Sequence, residues 1–497
     1  MGFTSFYFYV FLAITVIAYY IVPLRFRWYV LLAASLSYFV AATTFRREFC
    51  VLLGMIAVSW LFGLLHGKLR EMAAAKKEDQ IIRFHRIRQC LLAVSVLSIL
   101  LPLFLSRYPS YLYTAENILH LNHTGVLVSI GISFFTMQII AYLADVYCGK
   151  IQAQKNPLKY TLFISFFPQI IQGPIPRYDQ LEPQLVKGHR FDEKGFVNGF
   201  MLIIWGFFLK LMIADRAGVV VDTVFEYYES YQGSYVLVAG VLYSVQLYAD
   251  FLACTSLSQG MSELFGIHLV DNFRRPYFST SISEFWRRWH MSLSQWLRDY
   301  IYIPLGGNRK GRVRKYINLC ITFIVSGIWH GTGWKYIFWG LMHAGYQIAG
   351  ALTKGVRNKL YIMVGLAEGR RARVWIGRAC TFFFVMLTWI VFRAPSLKQG
   401  LFMLRSLFAV YNPWVFFNDA LLELGLDWKE SMVLIFSVLT LIWVSVKQEA
   451  GMKIRDAVLR QPYVLRCALY AAAIVIIMIF GSYGTGFDAS DFIYGGF

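Results

Sequence analysis

Apolar stretches close to twenty residues long, set apart by short polar and basic breaks, run the whole length of the chain. They fall at 5–23, 29–45, 50–65, 90–106, 124–147, 196–214, 235–254, 317–333, 335–352, 379–394, 431–446 and 467–484. A helix needs about 20 apolar residues to cross a bilayer, so each stretch predicts a span. A further stretch, TLFISFFPQIIQGPIP at 161–176, is equally apolar but holds three prolines and a glycine. It predicts a re-entrant or interfacial segment, allowed only where protein or a water-filled cavity covers its backbone. The pattern implies an all-α polytopic membrane protein with about 10–12 transmembrane helices, read as one integral-membrane domain over 1–497. Within it, 1–123 holds N-terminal spans, 124–350 the core and 351–497 the C-terminal spans and a tail.

The breaks give the orientation. With the N-terminus outside and the spans alternating, the inner loops hold 38 of the 48 lysines and arginines, ten of them at 271–316. Lys and Arg accumulate in cytoplasmic loops, so this asymmetry supports both the threading and an even number of crossings. Both termini are then expected outside, with GSYGTGFDASDFIYGGF as an extracytoplasmic tail. Loop 66–89 has mixed charge at helical spacing and predicts a cytoplasmic helix near anionic lipid.

Composition narrows the picture further. Hydrophobic residues make up 58% of the chain and charged ones 15%, against about 25% charged in soluble domains. The formal charge of +20 does not argue for nucleic acid, because the basic residues sit where topology demands them. No cleavable signal peptide is evident, since the first stretch runs straight on to Arg25, Arg27 and a second span. The seven cysteines show neither CxxC nor zinc spacing. They read as small apolar packers.

The region 268–316 does not read as a plain loop. Ser281-Ile-Ser-Glu284 is a capping-box pattern. Beyond it Phe285, Trp289, Ser292 and Trp296 recur at helical spacing, predicting a helix over about 282–303 that ends at Pro304 and Gly306-Gly307. One reading is an interfacial amphipathic helix. The other is the wall of a polar cavity open to the cytoplasm, where Arg274, Arg275, Arg287, Arg288 and Arg298 suit phosphates through bidentate pairing. The loop GGNRKGRVRK lacks P-loop spacing.

Of nine histidines, His66, His85 and His189 fall in inner loops and His120 and His123 in an outer loop, so solvation is expected. His343, within a span, suits a bond across helices. His330 stands in SGIWHGTGW among Ser326, Gly327, Gly331, Thr332 and Gly333, small residues that let backbone or ligand come close. An ionisable residue inside a span is a functional candidate by default. His290 and His330 lack the carboxylate or cysteine companions that a metal site would bring. There is no G-x-S-x-G elbow and no HExxH. A lone histidine can act as general base for a hydroxyl attacking an acyl carbonyl, then return the proton to the leaving group. A transporter with a proton-relay histidine is the rival, and it predicts inverted repeats with paired broken helices.

The blocks SEFWRRWHMSLSQWLRDYIYIPLGGNRKG and SGIWHGTGWKYIFWG closely resemble the membrane-bound O-acyltransferase family, in the branch of the alginate O-acetyltransferase membrane subunit. The likeness extends to SFFTMQIIAYLADVYCGK, FFPQIIQGPIPRYDQL, LKLMIAD and QLYADF, and loosely to DFIYGGF. It implies many helices around a central funnel, with His330 as the catalytic histidine and His290 as its second. Trp286, Arg287, Arg288 and Trp289 would line the funnel, and Arg275, Arg298, Asn308, Trp329 and Trp334 complete the candidate donor-side set. The implied reaction moves acetyl from a cytosolic donor, acetyl-CoA, across a bacterial plasma membrane to an SGNH-type partner that acetylates a polysaccharide. No metal or resident cofactor and no nucleic acid enters. D-alanyl transfer to teichoic acid from a carrier protein is the alternative within the family. The chain reads DFLACTSLSQG at 250–260 where the family often has DFSGYSDMAIG, which puts that segment's polar contacts and the identity of the polymer in doubt.

Overall fold

The computed structural model describes residues 2–43, 46–74, 78–108, 131–366 and 369–483. Two histidines, His120 and His123, and the tail beyond residue 483 lie outside the described residues, as does the start of the 124–147 stretch. The chain gathers into two compact units. Among the described residues, one comprises those up to 203 together with 257–270, and the other 204–256 together with those from 271 to 483.

The twelve span-length stretches are helical over most of their described length, and the protein is an all-α polytopic membrane protein. In the first unit α1 is Phe6–Ile21, α2 Arg27–Ala42, α3 Arg46–Ala74, α4 Glu78–Arg107, α5 Ile132–Cys148, α6 Pro157–Ser165 and α7 Tyr178–Lys187. The proline-rich stretch divides as its composition demands. Asn156 caps α6, accepting from the Leu158 and Lys159 amides at 2.9 and 3.2 Å, with Pro157 in the first turn. The chain then runs on from Phe166 through non-helical turns that are largely buried. Gln138 of α5 donates to the Phe163 carbonyl at 2.7 Å and accepts from Gln169 at 3.0 Å. Buried side-chain amides thus bond backbone and one another where lipid offers nothing.

Two expectations for this unit are corrected. The segment 66–89 is not a separate surface helix. Its described parts continue α3 and α4 beyond their apolar cores. His66 is fully buried, with Nε2 bonded to the Ser95 hydroxyl of α4 at 3.1 Å, rather than solvated. His85 is exposed and His189 half-buried.

Two long helices follow, α8 Glu193–Glu226 and α9 Ser234–Glu263. A π-helical turn, Phe208–Ala214, interrupts α8. The second unit continues with α10 Ile282–Arg288, α11 Met291–Leu297, α12 Gly311–His330, α13 Trp334–Leu352, α14 Lys354–Met363, α15 Arg371–Arg393, α16 Leu397–Ala409, α17 Trp428–Glu449, α18 Ile454–Leu459 and α19 Tyr463–Phe480. Among the described residues seven helices are long and apolar enough to cross a membrane. The cysteines also depart from expectation. Cys254 is buried, whereas Cys50, Cys90, Cys148, Cys380 and Cys467 lie on the outside of the bundle.

Helices α12 and α13 form the tightest pair in the second unit. A Cβ at Gly327 would stand 2.3 Å from the Tyr336 carbonyl oxygen, and one at Gly340 2.3 Å from the Phe323 carbonyl oxygen. The glycines let the two backbones touch, as small residues do at membrane helix crossings.

Candidate functional site

The predicted helix over 282–303 is broken in the middle. Ser281 does cap α10, accepting from the Glu284 amide at 3.2 Å, while Glu284 reaches back to the Thr280 amide at 2.9 Å. After Arg288 the backbone leaves the helix. Trp289 is extended and His290 adopts a left-handed conformation, φ 41° and ψ 55°. Such a conformation costs a non-glycine residue about 1–3 kcal/mol and persists only where its surroundings dictate it. They do so here. Asn272 receives the Met291 amide on its carbonyl at 2.9 Å and the Ser292 amide on its side chain at 3.1 Å. The Arg274 amide donates to the Arg288 carbonyl at 2.9 Å. A second helix, α11, then starts, and a π-helical turn at Arg298–Tyr302 ends it.

The break turns the His290 ring inward. The residue is 1% exposed, and neither ring nitrogen has a hydrogen-bond partner among the described residues. Burial holds its imidazole far below the ordinary range, at about 3. Phe251 packs edge-on against it at 4.7 Å and Trp329 at 6.1 Å. His330 is the last residue of α12 and is 3% exposed. Its ring meets Trp329 at 4.8 Å, Trp339 at 5.1 Å and Phe392 at 5.2 Å, all near perpendicular. The Trp329 indole therefore touches both histidines, which lie forty positions apart in sequence.

Two of the glycines around His330, Gly327 and Gly331, are filled by α13 rather than left open. A Cβ at Gly331 would meet the Tyr336 ring at 2.1 Å, and Gly327 is filled by the Tyr336 backbone.

The remaining candidates divide by position. Trp286 is half-buried beside Phe323, Trp339 and His343. Trp289 is buried and stacks on Phe285 at 5.4 Å, in the core rather than on a wall. Arg287 is exposed. Arg288 is engaged, pairing with Glu284 at 2.8 Å and with Glu449 at 3.0 Å, and Arg275 meets the same Glu449 at 2.6 Å. Arg298 pairs with Asp299 at 2.8 Å on the surface. Asn308 is exposed and accepts from the Tyr302 hydroxyl. Trp334 is 76% exposed and stands on the exterior. His343 bonds across helices, as expected. No group of three or more metal-ligating side chains occurs among the described residues.

Sequence reasoning passed over several contributors. Asn272 braces the break, and Asn318 ties the glycine-rich loop by donating to the Leu305 and Gly307 carbonyls at 3.3 and 3.1 Å. Phe251, Trp339 and Phe392 wall the histidines. Lys210 of the π turn pairs with Asp215 and Asp250, each at 2.9 Å, deep in the bundle. Its place in an apolar span was the available signal.

Comparison with known proteins defines the class. Residues 150–393 match the membrane-bound O-acyltransferase family. A protein of Azotobacter vinelandii described as "Probable alginate O-acetylase AlgI" is 32% identical over 404 residues, covering 80% of this chain and 75% of its own length. The chain belongs to the membrane-bound O-acyltransferase family. The protein of the same description from Pseudomonas fluorescens is 38% identical over 292 residues, 59% of this chain, and the match spans little more than half of that relative, 56%. A peptidoglycan O-acetyltransferase of Helicobacter pylori is 33% identical over 331 residues, 61% of each chain.

Proposed function

We propose that this chain is a membrane O-acyltransferase that takes an acetyl group from a cytosolic donor, acetyl-CoA, and delivers it outward for O-acetylation of a cell-surface or extracellular polysaccharide. The observation that carries the reading is the shared Trp329 indole, which joins the buried rings of His290 and His330 inside the family-matching segment. His330 acts as general base. It takes the proton of the attacking hydroxyl as that oxygen adds to the thioester carbonyl. The carbon–sulfur bond breaks, and the proton passes to the departing thiolate. A ring at a helix C-terminus faces the partial negative charge of the last carbonyls, which suits a group that becomes cationic in mid-reaction. His290, held neutral by burial, packs against the same Trp329 indole at 6.1 Å. Arg287 faces the anionic donor at the cytosolic mouth.

The relatives described as alginate and peptidoglycan acetyltransferases support a glycan acceptor. In this reading the protein sits in a bacterial plasma membrane with both termini outside and hands acetyl to an SGNH-type extracytoplasmic partner. The test is His330→Ala in cells carrying the chain and its partner system. Polymer-bound acetate should fall to background while the protein is still inserted at the wild-type level. Normal acetylation under those conditions would end the proposal.

A further inference from the structure

The strongest unassigned arrangement in the second unit is the bonding of His343. It is fully buried on α13, and both ring nitrogens are occupied. The Trp286 indole N–H donates to Nδ1 at 3.2 Å. Nε2 lies 3.0 Å from the Thr388 hydroxyl, whose own proton goes to the Val385 carbonyl at 2.6 Å. With that proton committed, Nε2 must be the donor and Nδ1 the acceptor, so the network selects one neutral tautomer. One ring thus ties α10, α13 and α15 together. The Trp339 indole packs on His343 at 5.0 Å, on Trp286 at 5.8 Å and on His330 at 5.1 Å. Whatever holds Trp286 therefore also holds one wall of the His330 enclosure.

We infer that His343 is a positioning residue. Its Nδ1 fixes the half-buried Trp286 indole against Trp339 beside His330, and the fixed indole sets how tightly the acyl donor is held. The inference rests on the acyltransferase reading. His343 moves no proton in this scheme, because both ring nitrogens are committed to partners. What the site requires is a hydrogen-bond acceptor at the Nδ1 position. Without it the indole N–H loses its partner within the protein, and the ring is free to change rotamer.

The two amide side chains separate the alternatives. Asparagine can place its carbonyl oxygen near the Nδ1 position and accept from Trp286. Glutamine reaches toward the Nε2 position and keeps only the contact with Thr388. In membranes containing the full chain and its acceptor system, initial rates of transfer from radiolabelled acetyl-CoA are measured against donor concentration. His343→Asn should keep kcat/KM within about threefold of wild type. His343→Gln and His343→Leu should raise the donor KM by about tenfold, the equivalent of one lost hydrogen bond, with kcat changed by less than about threefold. Trp286→Phe removes the N–H while sparing the fold, and should give the same KM rise. Combined with His343→Leu it should add nothing further.

A His343→Asn variant no better than His343→Leu would overturn the inference, as would wild-type KM values in His343→Leu. A collapse of kcat in every variant would mark His343 as a proton carrier and overturn it too. Failure of the wild-type chain to transfer acetyl at all would instead sink the acyltransferase reading, and this inference with it.

Discussion

Placing one methyl group at Gly327 should separate the demands of folding from those of catalysis. A Cβ there would sit 2.3 Å from the Tyr336 carbonyl oxygen, 2.8 Å from its carbon and 3.2 Å from the Ile337 nitrogen. All three are backbone atoms of α13, so no side chain can swing aside. Ordinary contact begins near 3.4 Å, so Gly327→Ala must push the two helices apart by about 1 Å. Overpacking of this kind costs about 1–3 kcal/mol. Three positions on, His330 would move by a similar amount relative to Trp339. A 1 Å error at a reacting group can cost on the order of 100-fold in rate. The expected result is an inserted protein, lower in melting temperature, whose acetyl transfer falls by roughly 10- to 100-fold. Gly345, on the same helix α13, supplies the control. A Cβ there meets nothing within 4 Å, so Gly345→Ala should be neutral or gain up to about 1 kcal/mol in helix propensity. Both variants are assayed for polymer acetylation and for thermal stability in detergent. Full activity in Gly327→Ala, or equal damage from Gly345→Ala, would refute the argument that this crossing sets the catalytic geometry.

Two further outcomes follow from the charged groups. Lys210→Met leaves Asp215 and Asp250 facing each other without their shared cation, and should destabilise the protein by about 3–5 kcal/mol. Adding Asp250→Asn should recover much of that loss in a detergent melting assay, and no recovery would show that the three groups are not coupled. Arg287→Glu reverses an exposed charge and should raise the donor KM several-fold at low salt, an effect that shrinks as added salt screens it. A salt-independent change would mean that Arg287 acts through packing.

The spans were legible because bilayer thickness writes itself into sequence as length and hydropathy. The Ser281 cap was legible because it is local. What the sequence concealed depends on distant partners. The break at Trp289–His290 is imposed by Asn272 and Arg274 from another segment, and nothing in RRWH itself announces a left-handed histidine. His66 reads as a loop residue until Ser95 of the next helix is found beside it. Arg275 and Arg288 read as free phosphate ligands, yet they converge on Glu449, more than 160 residues further along. The glycines around His330 suggested an opening, and Tyr336 of α13 fills those at Gly327 and Gly331. His330 was visible from its company of glycine and tryptophan and His290 from the RRWH block that carries the family resemblance, but their common contact with Trp329 was not.

The π turn of α8 also bears on how this protein enters its membrane. A lone lysine at the centre of a span costs about 2.5–3.5 kcal/mol to insert. Here the wider turn aligns position i with i+5, and the Asp215 amide bonds the Lys210 carbonyl in that register. The Lys210 ammonium can therefore meet Asp215 within its own helix, 2.9 Å away, before any neighbour arrives. The second acid, Asp250, comes with α9, the next helix to leave the ribosome, at the same 2.9 Å. The two helices are thus suited to leave the translocon as one hairpin, each masking the other's charge. Inserted without α8, α9 would carry Asp250 into lipid without the Lys210 ammonium that meets it in the folded chain.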